Sequence, residues 1–478
     1  MNAYRPNTLL WYDRPAADWL EGLPVGTGRI AGMVLGTVRR ERIALNHEWL
    51  WRGDYRDRQN RQVADRLPAV RERLLNGEYE EGTELGNDAF GLSVEGPEGQ
   101  QRVDPYQPAG DLYVEFNHPC HSDYRRELDL TDGIVTTSYA ASRCRYRREV
   151  FAHFNDDVIM VRLSCTRNDE PVPFTCRMWL DRTVDPGCAV ERTVSADRLS
   201  LDGRFSSGIA FAIRASVSVS GADARLATAE TALDACDVTE VILTLDLGTN
   251  CTGGQPAAEC TDFASDPHWE GALQSHRDSY RSHSGDFVLD LPLPEPDVPT
   301  DARVRSIREG KSDPGLNLLY YRFGRYLLMS SSANGQLPAN LQGKWNEDLA
   351  PPWNSDYHHD INLQMNYWPA ETGGMEESVE ALLQHIERFV PHARRAATDL
   401  YGCDGVWFPI QSDAWGRATP ESYGWAVWMG AAPWLAQHMW WHYEYSLDED
   451  FLRERAYPFM KEVAAFFEDY LIEGPDGE

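Results

Sequence analysis

Over the first half of the chain, apolar and polar residues alternate in short runs. Segments 111–116, 158–164, 174–180, 209–214 and 241–247 each carry the two-residue period of a strand with one buried face. Turn-prone stretches such as Asp132-Gly133, Asp202-Gly203 and Gly221-Ala222-Asp223 separate them. The pattern predicts antiparallel sheets packed as a β-sandwich over residues 1–264, interrupted by one helical insertion at about 62–75. Near residue 265 the period changes. A helix-compatible stretch at 267–283 leads to a strand-like 287–291 and then a Pro/Asp-rich linker at 292–299. From 313 onward, apolar residues recur at i, i+3, i+4 in segments 318–328, 379–400, 425–445 and 450–471, which predicts helices. The expected organisation is therefore a sandwich (1–264), a linker (265–312) and a helical domain (313–478), in a fold that mixes α and β.

Composition narrows the classes. Hydrophobic residues make up 42% of the 478, and no apolar run is long enough to span a bilayer. The first residues lack a charged-then-apolar leader pattern, so the expectation is a cytoplasmic protein without a membrane partner. Nine cysteines are scattered without a CxxC, which favours buried thiols over a disulfide framework or a zinc site. Net charge is −30, yet only Lys311, Lys344 and Lys461 among the 45 basic residues are lysines. Such a charge repels nucleic acid. The acidic, arginine-rich balance resembles proteins of salt-accumulating cells, where counterions screen the repulsion.

Chemistry concentrates between residues 337 and 371. There Trp345, Trp353, Tyr357, Tyr367 and Trp368 accompany Asn340, Gln342, Asn346, Asp356, His358, Asp360, Asn362 and Asn366. Aromatic faces with amides and carboxylates around them are the materials of a carbohydrate pocket. If 358–362 is extended, His358, Asp360 and Asn362 project to one side and can converge on one ligand or water. The same residues would equally serve to cap helices and satisfy backbone groups in a long connection. A second cluster at 407–416 offers Asp413 and Trp415, either as substrate contacts or as a capping carboxylate beside a core indole. His438 and His442 have metal-ligand spacing, but no HExxH accompanies them, so a packed face is expected and no metal or other cofactor. GxSxG, P-loop and dinucleotide-binding patterns do not occur.

Two stretches carry a family resemblance. The opening, with LWYDRPAADW, LPVGTGRI and LNHEWLWRG, and the later LPANLQGKWN…PPWNSDYHHDINLQMNYWPAE resemble glycoside hydrolase family 95 from about residue 9 to the end. The resemblance implies a β-sandwich (a supersandwich), a helical linker and an (α/α)6 barrel, followed by a further C-terminal β domain. It implies inverting hydrolysis of α-L-fucosides, typically 1,2-linked ends of oligosaccharides or glycans, with α-L-galactosides preferred by some members. The family's HxNxN motif falls on His358, Asp360 and Asn362, with the histidine on the sugar and the two amides holding the attacking water. Trp345, Trp353, Asp413 and Trp415 are the remaining substrate-binding candidates.

Here the first motif asparagine is Asp360, which can take the water's proton directly where an amide cannot. The family's general-acid glutamate, in a Ser-Pro-Glu context, would lie beyond residue 478. The barrel portion at 313–478 is accordingly expected to be incomplete, and residues 1–478 alone to be inactive or badly folded. Two other readings remain open: a sugar phosphorylase of similar architecture, which would need a basic phosphate pocket where the only nearby lysine is Lys344, and an inactive carbohydrate-binding remnant.

Overall fold

The alternation in the first half of the chain resolves into two antiparallel sheets. In the computed structural model, residues 7–55, 63–90, 103–118, 120–251, 253–260, 269–284, 289–420, 427–474 and 477 are described. One sheet runs through Leu9–Tyr12, Ser122–Asp129, Ile134–Ala141, Cys144–His153, Val158–Arg167, Glu240–Thr249, Ala210–Ser220, Arg198–Phe205 and Cys188–Ser195, with Glu170–Pro171 folded back on Val158–Arg167. The other runs through Arg225–Thr228, Leu233–Val238, Phe174–Asp181, Gly110–Glu115, Arg40–His47, Ile30–Val34 and Leu23–Gly26. Every segment expected as a strand between 111 and 247 is one. The helical insertion is longer than expected, with helices Leu67–Leu75 and Tyr79–Phe90; residue 62 itself lies outside the described residues.

The sandwich core is closed by side chains from both sheets. At Gly32 a Cβ would come within 3.1 Å of Ile159 Cδ1, so glycine allows the sheets to approach. Arg148 from one sheet meets Glu41 from the other at 2.8 Å, and both are buried. Burying a guanidinium is costly unless its donors are used; both Nη atoms of Arg148 are, donating also to Tyr139 Oη, Thr37 O and Val38 O, while its Nε has no hydrogen-bond partner among the described residues. The strand Val158–Arg167 is apolar on both faces at its start because the helix Trp269–Ser284 covers the outside. Trp269 and Leu273 pack there on Ile134, Phe151, Val158, Met160 and Ile242.

The helical elements follow the expected segments, with bounds shifted by a few residues. The helix Pro314–Ser332 starts on Asp313, whose carboxylate accepts from Leu316 N at 3.0 Å. Helices Glu376–Ala396, Ala431–Ser446 and Tyr457–Tyr470 carry the later periodic stretches. The expected strand at 287–291 begins on residues outside the described ones, and 289–291 are not a strand. Within the expected linker the structure adds the helix Thr300–Arg308.

The compact units are drawn along other lines than the linear division. One unit comprises 1–52, 106–351 and 373–378; the other comprises 53–105, 352–372 and 379–478. Residues 313–351 thus belong with the sandwich, because Tyr326 Oη donates to Pro24 O and Glu48 accepts from the backbone of Gln336 and Leu337. The insertion at 53–105 belongs with the later helices. Val63 N donates to Asp399 O, and Phe90 stacks on Tyr401 at 5.7 Å.

Candidate active site

In the second unit the polar cluster is organised by a minimal sheet. Trp353, Asn354 and Ser355 all have positive φ (47°, 57° and 55°), an uncommon run for residues with side chains. Asn354 secures the turn by donating to Val103 O at 2.7 Å, and Asp356 N donates back to Trp353 O. The chain then extends for Tyr357–His358, which pairs antiparallel with Gln411–Ser412, His358 opposite Gln411. Residues 359–361 turn, and Asn362 opens the helix Asn362–Thr372. The expected extended run over 358–362 therefore stops after His358, because a helix begins at 362.

Asp356 and His358, two residues apart in extended backbone, face the same way. Asp356 Oδ1 stands 2.7 Å from His358 Nδ1, and Gln411 Nε2 stands 2.9 Å from His358 Nε2. All three residues are buried. Neighbouring His359 points to the opposite side, into the helices. Its Nδ1 donates to Pro409 O at 3.0 Å, and its Nε2 lies 3.1 Å from His385 Nε2. Burial pushes the His359 imidazole down to about 4. Gln364 donates to His359 O at 2.7 Å, tying the new helix to the strand.

Asp360 sits on the turn between strand and helix, half-buried, and its Oδ1 is enclosed with no hydrogen-bond partner among the described residues. Such a buried carboxylate oxygen is uncommon. Asn362 is exposed at the helix start, and Trp353 is 68% exposed on its left-handed turn.

The other expected residues are placed differently. Trp345 belongs to the first unit, where it is buried among Ala31, Met33, Leu35 and Ala44 and donates its indole N–H to Val25 O at 3.0 Å. It has no free face for a sugar. Asp413 is buried and accepts from Trp415 N and Arg417 N at 3.0 Å each, the geometry of a carboxylate stapling its own turn. Trp415 beside it is half-buried. His442 Nδ1 meets Glu371 Oε1 at 2.8 Å, and His438 is buried against the Trp441 ring. No group of three or more metal-ligating side chains occurs among the described residues. Lys344 is buried in the first unit, with its ammonium on Glu48 and Leu337 O. Sequence reading did not single out Gln411, since only cross-strand pairing brings it to His358. Asp356 had a visible signal, the two-residue spacing to His358.

Comparison with known proteins finds similarity to two glycosyl hydrolase family models and to curated fucosidases. Residues 268–478 match the family described as Glycosyl hydrolase family 95 catalytic domain, and residues 10–254 match Glycosyl hydrolase family 65, N-terminal domain. "Alpha-L-fucosidase 2" of Arabidopsis thaliana is 30% identical over 98% of this chain and 59% of its own length. "Probable alpha-fucosidase A" of Aspergillus niger is 28% identical over 97% and 61%. The chain thus spans about three-fifths of the length of these curated relatives. Among solved structures, "Putative kojibiose phosphorylase from human microbiome" matches with a TM-score of 0.59 at 9% identity, over 99% of this chain and 61% of that one. At that identity the likeness shows a common fold.

Proposed function

From the premise that the chain belongs to glycoside hydrolase family 95, we propose that it carries the water-activating part of an inverting glycosidase that releases terminal α-L-fucose, or α-L-galactose, from oligosaccharides or glycans. The names of the curated relatives support the fucoside as substrate. The observation that carries the mechanism is the enclosed, unpartnered Oδ1 of Asp360 on the turn after His358.

In this reading Asp360 is the general base and Asn362, at the head of the next helix, orients the water. Inverting hydrolysis needs a carboxylate to take the proton from a water attacking the anomeric carbon, and a separate acid to protonate the leaving oxygen. An ionised carboxylate only accepts hydrogen bonds, so the unpartnered Oδ1 can accept from a water O–H once a water is admitted beside it. His358 binds a sugar hydroxyl, and the exposed indole of Trp353 offers an apolar face to the sugar's C–H surface. The reading assigns no residue of this chain as the acid, and it needs no cofactor. A phosphorylase would need a basic phosphate pocket, and the Lys344 ammonium is already bonded to Glu48. The acidic surface further suits the protein to concentrated salt.

The test is hydrolysis of an α-1,2-fucosylated oligosaccharide followed by NMR from the first turnover. β-L-Fucose should appear first, and Asp360→Asn should lower kcat by roughly 10²–10⁴-fold, the usual worth of a positioned base. Initial release of the α-anomer, or full turnover by the Asn variant, would overturn the assignment.

A further inference from the structure

Asp360 presents a carboxylate oxygen that no hydrogen bond directs: Oδ1 is enclosed and unpartnered among the described residues. Its placement therefore depends on the backbone that carries it. That backbone is gripped through the residue before it. His359 N donates to Ile410 O at 2.7 Å, its ring Nδ1 donates to Pro409 O at 3.0 Å, and its carbonyl accepts from Gln364 Nε2 at 2.7 Å. On the other side of Asp360, Met365 N donates to Ile361 O at 2.8 Å.

The ring of His359 is held at both nitrogens. A carbonyl oxygen only accepts, so Nδ1 carries the proton that Pro409 O receives. Burial opposes a second proton on this imidazole, so Nε2 keeps its lone pair. His385 Nε2, 3.1 Å away, is then the donor. His385 projects from the helix Glu376–Ala396 and is buried, and its ring centre also lies 4.8 Å from that of Tyr357. It thus braces two residues, 357 and 359, that flank His358 and turn away from it. Phe389, one helical turn beyond His385, meets the His359 ring edge-on at 5.3 Å, and Phe408 packs on it at 5.7 Å.

We infer that His385 and Gln364 are positioning residues for Asp360 that act through His359. The imidazole N–H of His385 fixes the His359 ring, the amide N–H of Gln364 fixes its carbonyl, and together they set where the Asp360 carboxylate points. The inference rests on the proposed role of Asp360 as the base. Neither residue touches the substrate. Gln364 reaches back from the first turn of the helix Asn362–Thr372, so its bond also ties the segment carrying Asp360 to the helix that opens on Asn362. A reacting group displaced by about 1 Å can lose on the order of 10² in rate. Loosening this grip therefore lowers kcat while leaving the contacts that bind the sugar in place.

The experiment uses the full-length protein and a fucoside substrate. His385→Met removes the donor to His359 while filling the space, and should lower kcat roughly 10- to 100-fold with KM within about twofold. His385→Gln, whose amide N–H can reach the same nitrogen, should recover most of that loss. Gln364→Met, which frees the His359 carbonyl, should behave as His385→Met does. The decisive comparison repeats each Met change in Asp360→Asn. With the base already gone there is nothing left to position, so kcat should fall further by less than about twofold. Hydrogen exchange at the His359 amide reads the grip without turnover. It should quicken about tenfold or more in both Met variants and stay near wild type in His385→Gln.

Losses of the same size with and without the Asp360 carboxylate would show that the two residues only stabilise the fold, and would overturn the inference. So would wild-type kcat in both Met variants, or wild-type exchange at the His359 amide in both. If His385→Met does not fold, Gln364→Met carries the comparison. If neither folds, ¹⁵N-histidine spectra of the wild type decide: a bare His359 Nε2 sustains the inference, and a proton there leaves His385 no acceptor and overturns it. If the wild type cleaves no fucoside while exchange at His359 responds as expected, the proposed function fails and the hold on residue 360 stands.

Discussion

His358 and His359 are adjacent in sequence and opposite in environment. Because the strand alternates, one imidazole faces Asp356 and Gln411 while the other is locked among Pro409, His385, Phe389 and Phe408. The buried one has a consequence for stability. Its folded pKa of about 4 lies below the roughly 6.5 of an exposed histidine. Above about pH 6.5 neither state binds the proton and the stability is intact. Between about 6.5 and 4 the unfolded chain takes up a proton that the native state refuses, so stability falls as the pH falls. From pH 7 to 5 this one group contributes a loss on the order of 2 kcal/mol. Urea unfolding of the wild type and of His359→Gln at the two pH values checks it. The variant keeps an amide donor for Pro409 O and cannot titrate, so its pH-dependent loss should be smaller by that amount. Equal losses would show that His359 is already protonated in the fold.

At the level of elements, the strands with one apolar face and the long amphipathic helices were legible because their periods report directly which face is buried. The helix Asn362–Thr372 was not. Leu363, Gln364, Tyr367 and Ala370 turn inward while Met365 and Trp368 remain exposed, so apolar residues occupy both sides and Pro369 interrupts the run. The strands Tyr357–His358 and Gln411–Ser412 are too short to show a period, and their pairing spans more than fifty residues of chain. For the same reason the candidate site was legible as a list of residue types and not as a geometry: Asp356 and His358 share a face by local rule, but Gln411 arrives by tertiary pairing.

Turns, by contrast, announce themselves through glycine. Gly405 has φ +77°, and a Cβ there would stand 2.1 Å from Glu462 O and 2.6 Å from Phe466 N, both backbone atoms of the helix Tyr457–Tyr470. Neither atom can move without displacing the helix. Gly405→Ala combines left-handed strain with overpacking and should cost about 3 kcal/mol or more. Thermal unfolding that matches the wild type within a degree would contradict that close approach.

The whole molecule carries 75 acidic against 45 basic residues. Interior pairs such as Arg148–Glu41 and Lys344–Glu48 are buried at both partners and are shielded from added salt. Salt therefore acts on the surface, in two opposing ways. It weakens exposed pairs such as Arg177–Asp234, which contribute little each, roughly 0–1 kcal/mol. It also relieves the mutual repulsion of the excess carboxylates, which extends over the whole chain and has no cationic counterpart. With an excess of thirty negative charges, the second effect should dominate. Raising NaCl from about 0.05 to 0.5 M shortens the Debye length from above about 10 Å to below it, and most of the gain should fall in that interval. A salt that acts by strengthening apolar burial instead continues to stabilise steadily into the molar range. The expected melting curve thus rises steeply at low salt and flattens above it. A melting temperature that is flat or falling up to about 0.5 M would mean that the surface ion pairs outweigh the repulsion, and that the acidic composition is not what adapts this protein to its medium.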